Sequence, residues 1–177
     1  MLQTKLHIPS PGKNLVHRSI LFDKLNVGLS RKLILISAPA GFGKTTLLSD
    51  WINQHKIPAV WFSIDSNDND PADFLSYVIA GIRGINKEIG QVALKLLRSP
   101  KQPDPESIIN LLINDITNIN NDFLLVLDDF HLINNNEIFK LVGYLFEYLP
   151  DNFHVVISSR SDPNLPVAKL RSQNQLH

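Results

Sequence analysis

Leu33-Ile-Leu-Ile-Ser-Ala-Pro-Ala-Gly-Phe-Gly-Lys-Thr-Thr-Leu-Leu48 decides the fold of this 177-residue chain. Its first five residues, Leu33–Ser37, form a short apolar run of the kind that becomes a buried strand. From Thr45 to Gln54 the period turns helical, with Leu47, Leu48, Trp51 and Ile52 on one side. Between them lies a loop with two glycines closing on Lys44 and Thr45, the pattern of a phosphate-binding loop in a strand–loop–helix setting. Gly41 and Gly43 allow the backbone to turn its amides inward around an anion, and the helix N-terminus adds free N–H donors and its dipole. Lys44 would bring positive charge to the β- and γ-phosphates, and the Thr45 hydroxyl would ligate Mg²⁺. The candidate phosphate contacts are Ala40, Gly41, Phe42, Gly43, Lys44, Thr45 and Thr46. Ala38 stands where such loops usually carry their first glycine; it is small, so the crowding is mild.

Three further apolar runs, Ala59–Ile64, Phe123–Leu127 and His154–Ser158, are near-continuous rather than alternating. That pattern predicts a parallel sheet covered on both faces. Asp70-Pro71 and Asp104-Pro105 each supply an N-cap and a first-turn proline ahead of a helical apolar period, and another helix is expected over 137–148. Strands alternating with helices predict an α/β domain built from βαβ units with right-handed crossovers.

Phe123-Leu-Leu-Val-Leu-Asp128-Asp129 ends an apolar strand on two carboxylates. Alone, these acids could be solvated or cap a helix. Beside a phosphate loop, Asp128 reads as the acid that holds Mg²⁺ through its water shell, and Asp129 as the base that polarises the attacking water. His154-Val-Val-Ile-Ser-Ser-Arg160 places an arginine after a later strand, a candidate sensor of the γ-phosphate. No Asn-Lys-x-Asp run for reading guanine is present, so adenine is the expected base.

The composition removes other chemistries. There is no cysteine, which excludes disulfides, thiolate zinc sites and cysteine nucleophiles, and no His-Glu-x-x-His spacing occurs. Seventeen basic residues balance seventeen acidic ones, against direct gripping of nucleic acid by these residues. That balance is a cancellation: residues 1–60 carry eight basic and two acidic side chains, and the remainder carries the acidic excess. No signal peptide or spanning segment is evident, so no membrane contact and a cytoplasmic location are expected.

Several stretches together resemble one family. They are Met1-Leu-Gln-Thr-Lys-Leu, Leu15-Val-His-Arg18, the phosphate loop, Trp61-Phe-Ser-Ile-Asp-Ser-Asn-Asp-Asn-Asp-Pro71, Leu127-Asp-Asp-Phe-His-Leu-Ile133 and Ser159-Arg-Ser-Asp-Pro-Asn-Leu-Pro-Val-Ala-Lys-Leu-Arg171. In that order they are similar to the N-terminal ATPase module of the large ATP-dependent LuxR-type, MalT-like transcriptional regulators, in the STAND branch of P-loop NTPases. The resemblance implies a three-layer α/β sandwich with core strand order 2-3-4-1 and a fifth strand missing by truncation, which leaves Leu33–Ser37 as an open edge.

It divides the chain into a lead-in over residues 1–30, on the adenine side, and an ATPase domain over 31–177 that is incomplete at its C-terminus. Val16 and Arg18 become candidate contacts on the base side. The winged helix, the helical sensor arm for an unidentified inducer and the DNA-binding helix-turn-helix would lie outside this chain. Inducer and ATP together would drive self-association and promoter activation, with Mg²⁺ as the metal cofactor, and ADP would hold the resting form. The function so implied is a nucleotide switch with slow or absent hydrolysis; the alternative is a true ATPase or kinase whose output is turnover.

Overall fold

A computed structural model describes residues 1–12, 18–99, 104–119 and 121–177. Four parallel strands form one sheet: β1 (Leu33–Ser37), β2 (Ala59–Ser63), β3 (Phe123–Asp128) and β4 (Phe153–Ser159). Their spatial order is β1-β4-β3-β2, the order expected from the sequence resemblance.

The strands are apolar through their middles because both faces are covered, and each turns polar at its C-terminal end. In β3, Phe123, Leu125 and Leu127 pack into the larger core, while Leu124 and Val126 pack into the smaller one. The period of two has simply lost its polar half. The smaller core is closed by α1 (Ser19–Gly28) and α2 (Lys44–His55), which contribute Phe22, Leu25, Leu48, Trp51 and Ile52. Trp51 and Trp61 are fully buried there, and truncating either would cost about 3–5 kcal/mol. The Trp51 indole N–H also donates to Asn26 Oδ1 at 2.9 Å, joining α2 to α1.

The larger core lies under α3 (Pro71–Ile85), α5 (Pro105–Ile116) and α6 (Asn136–Tyr148), with α4 (Gln91–Leu97) packed on α5 and α3. A short α7 (Val167–Ser172) adds Leu170 to this side. Asp70 caps α3 as expected, accepting from the amides of Ala72 and Asp73 at 2.9 Å each. The equivalent expectation for Asp104 is corrected: Pro105 opens α5, but the Asp104 side chain makes no cap hydrogen bond. The helix α1 was not expected, and its weak apolar stripe, with only Phe22, Leu25 and Gly28 buried, explains why.

Both outer strands have chain packed beside them. A 3₁₀ turn over Gln3–Leu6 packs against β2, with Leu6 against the larger core and Ile8 against the smaller. At the other side, the expected open edge of β1 is partly paired. A single parallel bridge joins Leu33 to Leu176, and Leu33 N–H, His177 N–H and Leu35 N–H donate across it to Gln175, Leu33 and His177 carbonyls. No fifth strand forms among the described residues.

Gly81 brings α3 close over β2, where a Cβ would stand 2.2 Å from Val60 Cγ1. Gly81→Ala should therefore destabilise the domain by about 1–2 kcal/mol in urea unfolding, even though alanine favours helices. An unchanged or raised midpoint would refute this packing.

Candidate functional site

All four strands end on the same side of the sheet, and the candidate residues collect there. The loop between β1 and α2 takes the special conformations its glycines permit: Gly41 has φ 83° and Gly43 φ 74°, both left-handed. Lys44 is nearly buried, and its ammonium donates to the carbonyls of Ala38 at 2.7 Å and Pro39 at 3.2 Å. The cation is thus held inside the curl of the loop. Arg18 Nη1 donates to Phe42 O at 3.1 Å, fixing the loop tip to the start of α1.

Asp128 is the hub. It is 3% exposed at the end of β3, and its Oδ2 accepts from Thr45 Oγ1 at 2.8 Å. Its Oδ1 accepts from Ser158 Oγ, and that same Ser158 oxygen accepts the amide of Asp129 at 3.1 Å. Burial pushes the Asp128 carboxyl above the ordinary aspartate range, aided by the neighbouring Asp129 charge and opposed by the two hydroxyl donors. A buried carboxylate beside a hydroxyl is a pair of hard oxygen donors that a divalent cation would favour. Mg²⁺ keeps most of its shell as water and phosphate oxygen, so two protein ligands suffice. The residues present fit that ion, although no cluster of three or more metal-ligating side chains exists among the described residues.

Asp129 occupies the left-handed region at φ 58°, ψ 38°, a conformation aspartate tolerates better than most residues. It opens a 3₁₀ turn over Phe130–Leu132. His131, in that turn, sits with Nδ1 3.8 Å from Asp129 Oδ1, and neither ring nitrogen has a hydrogen-bond partner. Burial lowers its pKa, with the Arg160 and Lys44 charges adding to the effect against the pull of Asp129. The imidazole is therefore neutral at neutral pH and shares the field of these three groups.

A cavity of about 470 Å³ opens beside the loop. Leu21, Leu25, Ile34 and Ile36 give it an apolar wall, and Arg18, Lys24 and Lys44 line it as well. A largely apolar slot with a few convergent cations is the form that small-molecule sites take.

Two kinds of comparison agree with this geometry. The chain is 32% identical over 170 residues to the HTH-type transcriptional regulator MalT of Vibrio cholerae serotype O1, an alignment that takes in 96% of the chain. With MalT of Klebsiella pneumoniae it shares 33% identity over 176 residues, or 99% of its length. The chain is homologous to the MalT regulators. It spans 19% of the length of these relatives. Among solved structures, Cdc6p from Pyrobaculum aerophilum superposes with a TM-score of 0.60 at 17% identity, covering 99% of this chain and 48% of that one. A Drosophila ORC structure bound to DNA gives 0.55 at 12%, covering 90% of this chain and 86% of that one; both likenesses concern the fold alone. No family model matches the sequence.

In this MalT homologue the fold brings Lys44, Thr45, Asp128 and Asp129 together, and Arg160 follows β4 at the same end of the sheet, close enough to act on His131. Arg18 reaches the loop through a carbonyl, and Val16 lies outside the described residues. Sequence reasoning passed over Ser158 and His131. The signals were a polar pair, Ser158-Ser159, closing an otherwise apolar strand, and a histidine directly after the Asp-Asp-Phe run.

Asp128 also yields a stability prediction. A carboxyl whose folded pKa is raised stabilises the fold at low pH, and that contribution is lost as pH rises through the folded value. Asp128→Asn should therefore stabilise the ligand-free domain, by about 1 kcal/mol near pH 8 and less near pH 5. Urea titrations at the two pH values check this; a destabilised variant at pH 8 would contradict the buried-charge account.

Proposed function

We propose that this chain is the ATP- and Mg²⁺-binding switch module of a signal-responsive transcriptional regulator, with hydrolysis slow or absent. The observation that carries the reading is the hydrogen-bonded line from Thr45 through Asp128 to Ser158, beneath a glycine loop that curls around Lys44, in a homologue of MalT.

Loop amides from Ala40 to Thr46 would receive the phosphates, and Lys44 would exchange its two carbonyl partners for phosphate oxygens. Magnesium, when bound, would supply neutralisation of the phosphate charge. Thr45 and Asp128 would hold it from the protein side, which would favour the charged form of Asp128. Asp129 orients a water and accepts its proton; an aspartate, a weaker base than a glutamate, suits slow chemistry. Arg160 reports the γ-phosphate and so separates ATP from ADP. The slot beside α1 takes an adenine base, so within the lead-in over 1–30 it is Arg18 and α1 that flank it, while residues 3–6 lie against β2 at the other edge of the sheet.

The whole-protein assignments extend the same reading. The ATPase domain runs over 31–177 of a longer cytoplasmic regulator. Self-association, inducer sensing and promoter contact belong to parts beyond these residues.

Calorimetry on the chain with ATP and with ADP should give saturable, Mg²⁺-dependent binding. Lys44→Ala should reduce ATP affinity at least tenfold, in line with losing a desolvated charge-assisted contact of about 1.5–3 kcal/mol, and leave the thermal midpoint near that of the parent. Unchanged affinity would reject the loop assignment. Steady turnover of several per second would reject the switch in favour of an enzyme whose output is catalysis.

A further inference from the structure

The loop over residues 65–71, between β2 and α3, does more than cap a helix. Asp70 alone supplies both cap bonds of α3. Asn69 faces another element altogether. Its Nδ2 donates to Leu132 O at 3.0 Å as well as to Ser66 O at 3.2 Å, and its Oδ1 accepts the amide of Asn134 at 2.7 Å. Its backbone carbonyl accepts from Asn135 Nδ2 at 2.8 Å. Asn135 caps α6 through its own Oδ1, bonded to the Glu137 amide, so the bond to Asn69 is additional to that cap.

The other end of the loop is fixed by Lys5. Its ammonium meets Asp68 Oδ1 and Oδ2 at 2.7 Å each and Asp65 Oδ2 at 2.8 Å, and lies 5.2 Å from the centre of the Tyr77 ring. Asp68 is buried, and its Oδ2 also accepts the Asp65 amide at 2.7 Å. The Leu2 amide donates to Tyr77 Oη at 2.9 Å, so the strap over residues 1–8 is held on both sides of Lys5.

We propose that Asn69 is a positioning residue for the Asp129–His131 turn, and that Lys5 ties the N-terminal strap into the same brace. His131 has no hydrogen bond of its own, so only its backbone and its packing set its place. The 3₁₀ turn that carries it begins at Asp129, where the Leu132 amide bonds the Asp129 carbonyl at 3.0 Å, and its far end is pinned by Asn69 at Leu132 and Asn134. Releasing that end lets Asp129 and His131 shift while the phosphate loop, which Asn69 does not touch, stays in place. A misplacement of about 1 Å in a reacting group costs on the order of a hundredfold in rate, so a partial release is readable in kinetics. The inference rests on the reading of Asp129 as the group that orients water.

The test compares the parent chain with Asn69→Ala, Lys5→Met and Lys5→Arg. Three measurements are made: Mg²⁺·ATP affinity, single-turnover cleavage of ATP, and amide exchange over residues 130–134. Asn69→Ala should slow cleavage about tenfold with affinity within about twofold of the parent, and speed exchange across the turn. Lys5→Met should do the same more weakly, and Lys5→Arg, which can still bridge both aspartates, should recover parental behaviour. Exchange over 130–134 that matches the parent in both Asn69→Ala and Lys5→Met overturns the brace. So does a loss of affinity in proportion to the loss of cleavage. If Asn69→Ala fails to fold, Asn69→Asp keeps the Asn134 bond, loses the donor to Leu132 and is held to the same expectations. A parent chain that binds no nucleotide defeats the switch reading instead, and the brace then stands or falls on amide exchange.

Discussion

One buried carboxylate organises the working end of this molecule. Asp128 sits at the end of a strand with no exposed residue, and it is joined by hydroxyls from the two elements on either side, Thr45 of α2 and Ser158 of β4. A charge so placed is expensive unless it is partnered. The partners come from residues 83 and 30 positions away in the chain, so the sheet must close before the carboxylate is satisfied. The order β1-β4-β3-β2 is therefore a requirement of the site as much as of the core. With β4 between β1 and β3, the glycine loop, the acidic strand end and the arginine after β4 come to one end of the sheet.

Much of the frame was legible in the sequence. Strands buried on both faces write themselves as unbroken apolar runs, and a glycine loop followed by Lys-Thr reads the same in any context. Strand order came from the resemblance, since periodicity carries no information on neighbours. What was hidden depended on pairing in space. Ser158 looks like any serine at the end of a strand until β3 lies beside β4. The pairing of Lys5 with Asp68 joins residues 63 positions apart, and nothing in either stretch announces the other. Likewise nothing in the acidic loop over 65–71 announces that Asn69 meets Leu132 and Asn134. The helix α1 escaped because few of its side chains are buried, so its amphipathic signal is faint.

Charge follows the same division of labour. The basic first third supplies the loop lysine and the arginine at its tip, and the acidic remainder supplies the strand-end aspartates and the loop that holds Lys5. Attraction between the two parts is local and directed: the Lys5 cluster lies at the β2 side, and the Lys44–Asp128 region lies at the centre. In the first, hydrogen bonds and opposite charge hold the Lys5 ammonium above its usual pKa despite the opposing effect of burial, and hold the Asp65 carboxyl below its own. Both groups are therefore charged throughout the neutral range, and the strap is at its firmest there.

The two ends of the described chain act as hems on the sheet. Residues 3–6 are packed beside β2, and residues 175–177 are bonded to the first half of β1. Both segments lie at the flanks from which a sheet recruits foreign strands. Loss of either flank would therefore uncover strand edge that another chain could pair with.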